Sequence, residues 1–503
     1  MKKRTIAFVL ALLLCLTACQ SDQEAIYSKY TEESSLPTSS PVQADASEPV
    51  ESEAEESPKK ELSGELTISD MRKIADYGTD AVVSAFQKEY PNVKITVDYS
   101  LPEGERLTTE AYTAYSQRLA TQLMGGESAD IITYWDGMVS AKNIAENGYA
   151  LDLYEWMDND ADFHKEDYFA NLFEALEYKD KLYQLPVLFN YTAVVLNSHI
   201  TEELGYTFQP WDKIDYQTII SIYKEADEKG LLADGFTMEF EDLMNGGYLF
   251  QEVVYPDYFD EDTDMVNFDS PEFIQYLTDT KALPSNRKME EGAGMVGGGM
   301  TMQDFAQSNA GGNTSLTLST GVSMVDFPNL VEEIEGCTPP LLLMSEKGTC
   351  TFASGLQYMV SASCKNPELA WEFLKFAIGH VENPGYYTVL EGGTDFTTGY
   401  LPVEKANFRA FSKLYAQVDQ ASRSNPDGWM TGFNSETAPC PLDDAFLEQA
   451  ERAAEQFNVR AAMPYALGTV LQPILNQYYD TDSLSAEECA RQMQEKAEIF
   501  LAE

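Results

Sequence analysis

An α/β fold divided between two lobes is predicted for this chain of 503 residues. Two observations predict it. Between residues 65 and 136, apolar residues recur first at every second position and then at helical spacing. Three strands and two helices thus alternate, as they do where a lobe begins on a largely parallel sheet. The chain from residue 64 onward, roughly 440 residues, also exceeds what one hydrophobic core holds before a chain divides.

The first strand is ELTISD (65–70). In TDAVVSAFQKEYPNV, Val82, Ala85, Phe86 and Tyr90 share a helical face, and Pro91 lies just past its end. VKITVDYS (93–100) is the second strand. EAYTAYSQRLATQLMGG places Tyr112, Tyr115, Leu119 and Leu123 on one face and closes on Gly125 and Gly126. ADIITYWDG is a third strand that runs into a loop. Ligands of open α/β sheets bind beyond the carboxyl ends of the strands, so Tyr134, Trp135 and Asp136 occupy the expected binding loop. Helical patterns then dominate. PWDKIDYQTIISIYKEADEKG and NPELAWEFLKFAIG read as amphipathic helices. In the last segment, Ser485 and Glu488 stand at capping-box spacing ahead of a stripe of Ala490, Met493, Ala497 and Phe500. No solenoid-type repeat is present.

Ahead of the folded part, Lys2, Lys3 and Arg4 precede an apolar stretch from Ile6 to Leu16, then Thr17, Ala18 and Cys19. A basic start, a short apolar run and small residues before a cut form a secretory signal peptide, here 1–18. The run falls short of the about 20 apolar residues that span a bilayer. Leu16-Thr17-Ala18-Cys19 resembles the bacterial lipobox, whose cysteine is acylated. Cys19 is therefore the expected lipid anchor, since two acyl chains hold stably where one is marginal. An ordinary signal peptide with an incidental cysteine is the plainer alternative. Residues 20–63 are rich in Ser, Glu, Pro and Ala. They cannot bury enough surface to offset ordering entropy, so 19–63 reads as a lipidated cysteine and a disordered acidic tether.

Thirty-three basic residues against 83 acidic ones give a formal net charge of −50. Such a surface repels phosphate backbones and anionic lipid, which excludes nucleic acid as an expected partner and leaves the lipid as the only membrane contact. Beyond Cys15 and Cys19, the cysteines are Cys337, Cys350, Cys364, Cys440 and Cys489. Their spacing fits neither a zinc ribbon nor a dense disulfide framework; one bridge is compatible with it, and buried free thiols are the favoured reading.

Other motifs give way to plainer readings. GAGMVG (292–297) has the G-x-G-x-x-G form but follows no strand, so it reads as a loop and no cofactor is expected. DNDADF (158–163) lacks the sixth-position glycine and twelfth-position acid of a calcium loop. Asp257, Asp260, Asp262 and Asp264 could hold calcium, but an acidic surface loop is favoured and no metal site is expected. His164, His199 and His380 form no paired zinc arrangement, and no G-x-S-x-G elbow occurs. Paired carboxylates for glycoside hydrolysis are not readable from sequence. Nothing in the chain demands an enzyme.

Several segments resemble the extracellular solute-binding proteins of ABC importers, the maltose-binding-protein-like family. They are ELTIS…AVVSAFQKEYPNVKITVDY, YSQRLATQLMGGESADIITYWDG, YKDKLYQLPVLFNYTAVVLN, TGYLPVEKANF, SCKNPELAWEFLKFAIG and the C-terminal helix. The likeness runs from about residue 64 to 503 and is weakest over 230–350 and 405–460. It implies a two-lobed, type II periplasmic-binding-protein-like α/β fold with hinge crossings and a ligand cleft. The lobes implied are 64–188 plus 353–404, and 189–352 plus 405–503. It implies a monomeric, lipid-anchored receptor at the extracellular face of the cell membrane, which takes up a small solute, expected to be a carbohydrate, and passes it to the membrane subunits of an ABC permease. The alternatives are an extracellular polysaccharide hydrolase and a surface sensor or adhesin on the same fold.

For ligand contacts, elimination among the five tryptophans assigns Trp371 to the core, Trp211 to a helix start and Trp156 to a helix. Trp135 and Trp429 remain in loop-like surroundings, with Asp136 and Asn434 nearby to take hydroxyls. The resemblance adds Phe189, Asn190, Tyr191, Phe352 and Ser354 at the crossings, where hinge packing is the competing reading.

Overall fold

In the structure, a computed structural model, residues 60–73, 78–101, 105, 108–134, 139–191, 193–231, 246–260, 262–281, 317–320, 338–379, 401–412, 444–461 and 463–502 are described. Met1–Lys60 and Glu61–Glu503 form separate units, and every described element belongs to the second. Cys19, the tether up to residue 59, the glycine run 292–297, Cys337, His380 and Cys440 lie outside the described residues.

The expected alternation opens the fold. Strand β1 (Gly64–Arg72) pairs in parallel with β2 (Val93–Leu101) from Gly64 opposite Val93 to Arg72 opposite Leu101. Between them, α1 (Thr79–Glu89) buries Val82, Val83 and Phe86. Helix α2 (Thr109–Gly125) starts where the Thr108 side chain accepts from the Ala111 amide, and it ends at Gly126. At φ 65° Gly126 is left-handed, a conformation that suits glycine after a helix. The predicted face of Tyr112, Tyr115, Leu119 and Leu123 is buried. Strand β3 (Ile131–Thr133) then pairs in parallel on the other side of β1. Helix α3 (Ala141–Asn147), capped by Ser140, and α4 (Leu153–Asn159), capped by Asp152, follow. The short α5 (Ala170–Glu174) leads toward the first crossing.

That crossing is made by β4 (Leu185–Pro186), β5 (Leu188–Asn190) and β6 (Ala193–Leu196). Beyond it come α6 (Ser198–Glu203), β7 (Lys213–Asp215) and α7 (Tyr216–Glu228). The helix expected from Pro210 onward begins only at Tyr216. Trp211 sits at φ 66°, Lys213–Asp215 pair in parallel with a later strand, and the Asp215 carboxylate caps the helix from the Thr218 amide at 2.7 Å. Trp211 is therefore not a helix-start residue but is buried ahead of β7. Next are α8 (Gly246–Leu249), a π-helical turn over Phe250–Val254, the hairpin of β8 (Phe259–Asp260) and β9 (Met265–Val266), and α9 (Pro271–Thr280).

The remaining strands are β10 (Thr317–Thr320), β11 (Leu341–Met344), β12 (Thr351–Ser354) and β13 (Gln357–Val360). Helix α10 (Pro367–Gly379), β14 (Leu401–Pro402), α11 (Asp444–Ala454), β15 (Val459–Arg460), α12 (Tyr465–Tyr479) and α13 (Ala486–Ala502) complete the described chain. At the last helix, the Ser485 hydroxyl accepts from the Glu488 amide at 3.2 Å, and Ala490, Met493 and Ala497 are buried.

Besides the β8–β9 hairpin, the described strands form three sheets, ordered β2-β1-β3-β13-β4, β10-β6-β11-β7 and β14-β5-β12-β15. The first is covered by two apolar clusters: a large one with Phe86, Tyr358 and Phe373, and a smaller one with Tyr115, Leu119, Ile144 and Met359. The second has its own core of Ile219, Phe250, Phe273, Tyr276 and the apolar faces of α12 and α13. The chain passes between cores within a residue: Ala193 packs in the first and Val194 in the second. The third sheet carries the crossings, with β5 antiparallel to β12 and to β14. Cys350 and Cys489 are buried and Cys364 half-buried, all three as free thiols.

Candidate functional site

A cavity of about 730 Å³ opens beside the carboxyl end of β3. One wall is built on the first sheet: Tyr134 directly after β3, Ser140, Lys142 and Glu146 around α3, and Glu177, Tyr178 and Lys179 after α5. The opposite wall comes from elements of the second core: Tyr255, Phe259 and the tip of the β8–β9 hairpin with Asp260, Asp262 and Asp264. Asn458 and Arg460 around β15 border both.

Each polar group on these walls is held in place. The Tyr134 hydroxyl donates to the Val139 carbonyl at 2.7 Å, which fixes the turn after β3. The Arg460 guanidinium lies 5.8 Å from the Tyr134 ring centroid. Its Nη1 donates to Oε1 of Gln184 at 2.9 Å and of Gln357 at 3.4 Å, two glutamines that are each only 1% exposed. Lys179 Nζ and the Tyr178 hydroxyl both donate to Glu146, at 3.2 and 3.0 Å, and hold its carboxyl below the usual range. Glu177 accepts from the Tyr154 hydroxyl. Across the cavity, the Lys142 amide donates to Asp262 at 2.9 Å, and Lys142 Nζ pairs with Asp264. Burial pushes the Asp262 carboxyl up, and the Lys142 amide pulls against that shift. The hairpin tip is shaped by Asp260, which accepts from the Asp262 amide at 2.9 Å and the Thr263 hydroxyl at 2.7 Å. Of the acids weighed as a calcium loop, Asp260 bonds within its own loop, Asp262 and Asp264 bond to Lys142, and Asp257 accepts from the Thr349 hydroxyl at 2.5 Å. Among the described residues, no group of three or more metal-ligating side chains is placed to hold an ion.

Of the residues singled out by sequence, Tyr134 lines the cavity. Trp135, Asp136, Trp429 and Asn434 lie outside the described residues. The other five stand on the crossing sheet or, for Tyr191, directly after β5, and Phe189 is fully buried there. Asn190 Oδ1 accepts from the Tyr191 amide at 2.8 Å. Tyr191 is buried between Trp211 and Phe457, with ring centroids at 6.2 and 4.7 Å, and burial drives its hydroxyl far up. Phe352 is buried in the first core, and the Ser354 hydroxyl donates to the Leu188 carbonyl at 3.4 Å. Sequence reasoning missed Lys142, Glu146, Tyr178, Lys179 and Arg460. The strand-end rule that found Tyr134 gives no signal for them, because they reach the cavity from separate segments. Trp371 packs in the first core as expected, and its Nε1 donates to Asp160 at 2.8 Å.

The profile of the bacterial extracellular solute-binding protein family matches residues 72–383, more than half of the chain. The chain belongs to that family. Among solved structures, this solute-binding protein is similar to an extracellular solute-binding protein of family 1 from Alicyclobacillus acidocaldarius. The two are 16% identical, with a TM-score of 0.51 over 88% of this chain and 100% of the other. A sugar transporter from Rhizobium etli in an open conformation is 18% identical, with a TM-score of 0.51 over 86% of this chain and 99% of its own. The sugar-binding protein MalE of Xanthomonas citri is 13% identical, with a TM-score of 0.51 over 87% and 98%. At these identities the likeness is one of fold. It is the two-lobed, type II periplasmic-binding-protein-like α/β fold with hinge crossings and a cleft. No curated protein matches the chain. Among the described residues of this solute-binding protein, no helix is long and apolar enough to cross a membrane.

Proposed function

We propose that this solute-binding protein is a monomeric, lipid-anchored receptor at the outer face of the cell membrane. It captures a sugar or short oligosaccharide and delivers it, without catalysis, to an ABC permease. The observation that carries the reading is the cavity between two separately cored walls. Its volume of about 730 Å³ suits a small ligand, and its lining mixes aromatic surface with fixed carboxylate, amide and guanidinium groups. A polyhydroxy ring offers an apolar face to the former and hydroxyls to the latter. The Rhizobium and Xanthomonas structures are described as a sugar transporter and a sugar-binding protein, which supports the same class. A solute that touches both walls favours the closed arrangement, whereas one that touches a single wall shifts nothing.

The proposed contacts are Tyr134, Trp135 and Asp136 after β3, together with Trp429 and Asn434. Asn190 and Ser354 are the crossing residues kept as proposed contacts, whereas Tyr191 and Phe352, packed in the first core, take the competing role of hinge packing. The proposed lobes are 64–188 plus 353–404, and 189–352 plus 405–503. The packing of Ala450, Ala453 and Phe457 in the first core argues for moving α11 to the first lobe. Cys19 is the proposed acylation site.

Thermal unfolding against mono- and oligosaccharides, amino acids and peptides tests the reading. A solute that binds only the folded form at a hundredfold excess over Kd stabilises it by about 2.7 kcal/mol. A panel in which no carbohydrate raises Tm removes the sugar assignment. Labelling with a palmitate analogue, lost in Cys19→Ser together with membrane retention, tests the anchor.

A further inference from the structure

Lys142 and the tip of the β8–β9 hairpin belong to different cores. Helix α3 is fixed to the first sheet by Ile144, which is fully buried against Ile132 and Met359. The hairpin is fixed to the second core by Phe259. Yet the Lys142 amide donates to Asp262 at 2.9 Å, and its ammonium pairs with Asp264. These are links between residues far apart in the chain and on opposite walls of one cavity.

The electrostatics show why a cation stands there. Glu146 and Glu177 lie on one wall, and Asp260, Asp262 and Asp264 on the other. In a chain with a net charge of −50, bringing two acidic walls together costs repulsion unless a positive group sits between them. Lys179 is bound to Glu146 on its own wall. Lys142 is the described lysine that reaches across; its side chain is 24% exposed and that of Asp264 61%, so solvent screens the Asp264 end of the pair, and Arg460, which borders both walls, also favours the Asp262 carboxylate. The Asp260 bonds within the tip present Asp262 and Asp264 in a fixed shape.

We infer that Lys142, Asp262 and Asp264 form a clasp that holds the two walls together before solute arrives. They act as positioning residues, spending their charges on each other rather than on the ligand. The clasp raises the fraction of receptor already competent to bind, and apparent affinity scales with that fraction. Its effect on affinity rests on the solute-receptor reading, whereas its effect on the unliganded protein does not.

Hydrogen exchange of the unliganded full chain, followed in peptides covering residues 139–147 and 259–266, tests the clasp directly. The Lys142 amide is itself a donor in it, and amides of a first helical turn have no partner within the helix. Three proteins are compared: wild type, Asp264→Lys, and Asp264→Lys combined with Lys142→Glu. Asp264 is 61% exposed but sits at φ 55°, so Asp264→Asn, which tolerates that conformation and drops the charge, is the control that separates loss of the pair from strain in the turn. Wild-type exchange at Lys142 is expected to be at least about tenfold slower than in Asp264→Lys, with protection regained in the reversed pair. With a carbohydrate that binds, Kd is expected to rise about five- to twentyfold in Asp264→Lys, through faster dissociation. Equal exchange in wild type and Asp264→Lys overturns the clasp, as does a loss that the reversed pair does not restore. If no carbohydrate binds, the sugar reading fails while the exchange result still decides the clasp.

Discussion

The sheets β2-β1-β3-β13-β4 and β10-β6-β11-β7 are assembled in different ways. In the first, nine-residue strands β1 and β2 pair along their length, and the three parallel strands come from residues 64–133 with a helix between each pair. In the second, strands of three or four residues are gathered from positions 193 to 344. The β6 strand pairs with β10 only from Thr317 and with β11 only from Leu341. Where the ladder is short, rings take over. The Phe273 ring has four aromatic neighbours, Tyr258, Phe268, Phe250 and Tyr276, with centroids at 5.0, 5.1, 5.7 and 5.7 Å. In the first core, Phe86 meets Tyr90, Phe376 and Phe373 at 4.8, 5.1 and 5.3 Å beneath a continuous sheet.

The largest expected effect follows from that contrast. Phe273→Ala is expected to lower stability by about 3–5 kcal/mol, as truncation of a fully buried ring does. Phe86→Ala should lower it by about 1 kcal/mol less, since ring pairs add roughly 0.5–1.5 kcal/mol beyond area. Urea unfolding followed by circular dichroism measures both. If Phe86→Ala proves the more damaging variant, ring packing is not what compensates for the short strands.

The two regions also differ in the polar groups they bury. The first sheet is tied to the start of α10 by a carboxylate. Asp130 accepts from the Thr67 amide at 2.9 Å, the Thr67 hydroxyl at 2.7 Å and the Lys365 amide at 3.0 Å. Burial pushes its carboxyl up, but these donors outweigh burial and hold it below the usual range. The second core uses neutral hydroxyls, with Thr280 and Tyr479 bonded at 2.7 Å and Tyr478 donating to the Leu277 carbonyl at 2.8 Å. A carboxyl held low in the folded state contributes stability that is complete above its ordinary pKa. That stability disappears as pH falls through the ordinary and then the folded value. Acidification from pH 5 to 2 should therefore loosen the first region before the second, by hydrogen exchange of peptides from β1 and α9. Asp130→Asn should lose about 1–3 kcal/mol at pH 7 and show a flatter decline in acid. Equal acid sensitivity in both peptides, unchanged by the substitution, would sink this account.

The same contrast explains what could be read from sequence. The stripe Tyr112, Tyr115, Leu119 and Leu123, the ladder of β1 with β2 and the Ser485 cap are set by neighbours within a few residues or one βαβ unit. Tyr134 was legible through the rule for strand ends. The register of β6 with β10 left no periodic mark, because each strand is too short to show one. Trp211 misled because Pro and Asp beside it resemble a helix start, while a tertiary strand pairing claims Lys213–Asp215. The cavity was the least legible part. The Lys142–Asp264 pair depends on how the chain returns after a crossing, and the alternating aspartates read best as a solvated surface loop. Arg460 was invisible for the same reason, since Gln184 and Gln357 come from other segments.

The smallest expected effect is one that should not differ between the regions. Thr108 caps α2 beside the first sheet, and Ser485 caps α13 in the second core. Each side chain accepts from an amide three residues on at 3.2 Å, and each residue is exposed. A cap acts on the orphan amides of one helical turn, whatever the helix packs against. Thr108→Ala and Ser485→Ala should therefore each lower stability by about 1 kcal/mol, measured as paired shifts in the urea midpoint at constant slope. A markedly larger loss for Ser485→Ala would mean that docking of α13, with Met493 and Ala497 fully buried, depends on its first turn. The division between a ladder-built and a ring-built region would then reach down to single helix ends.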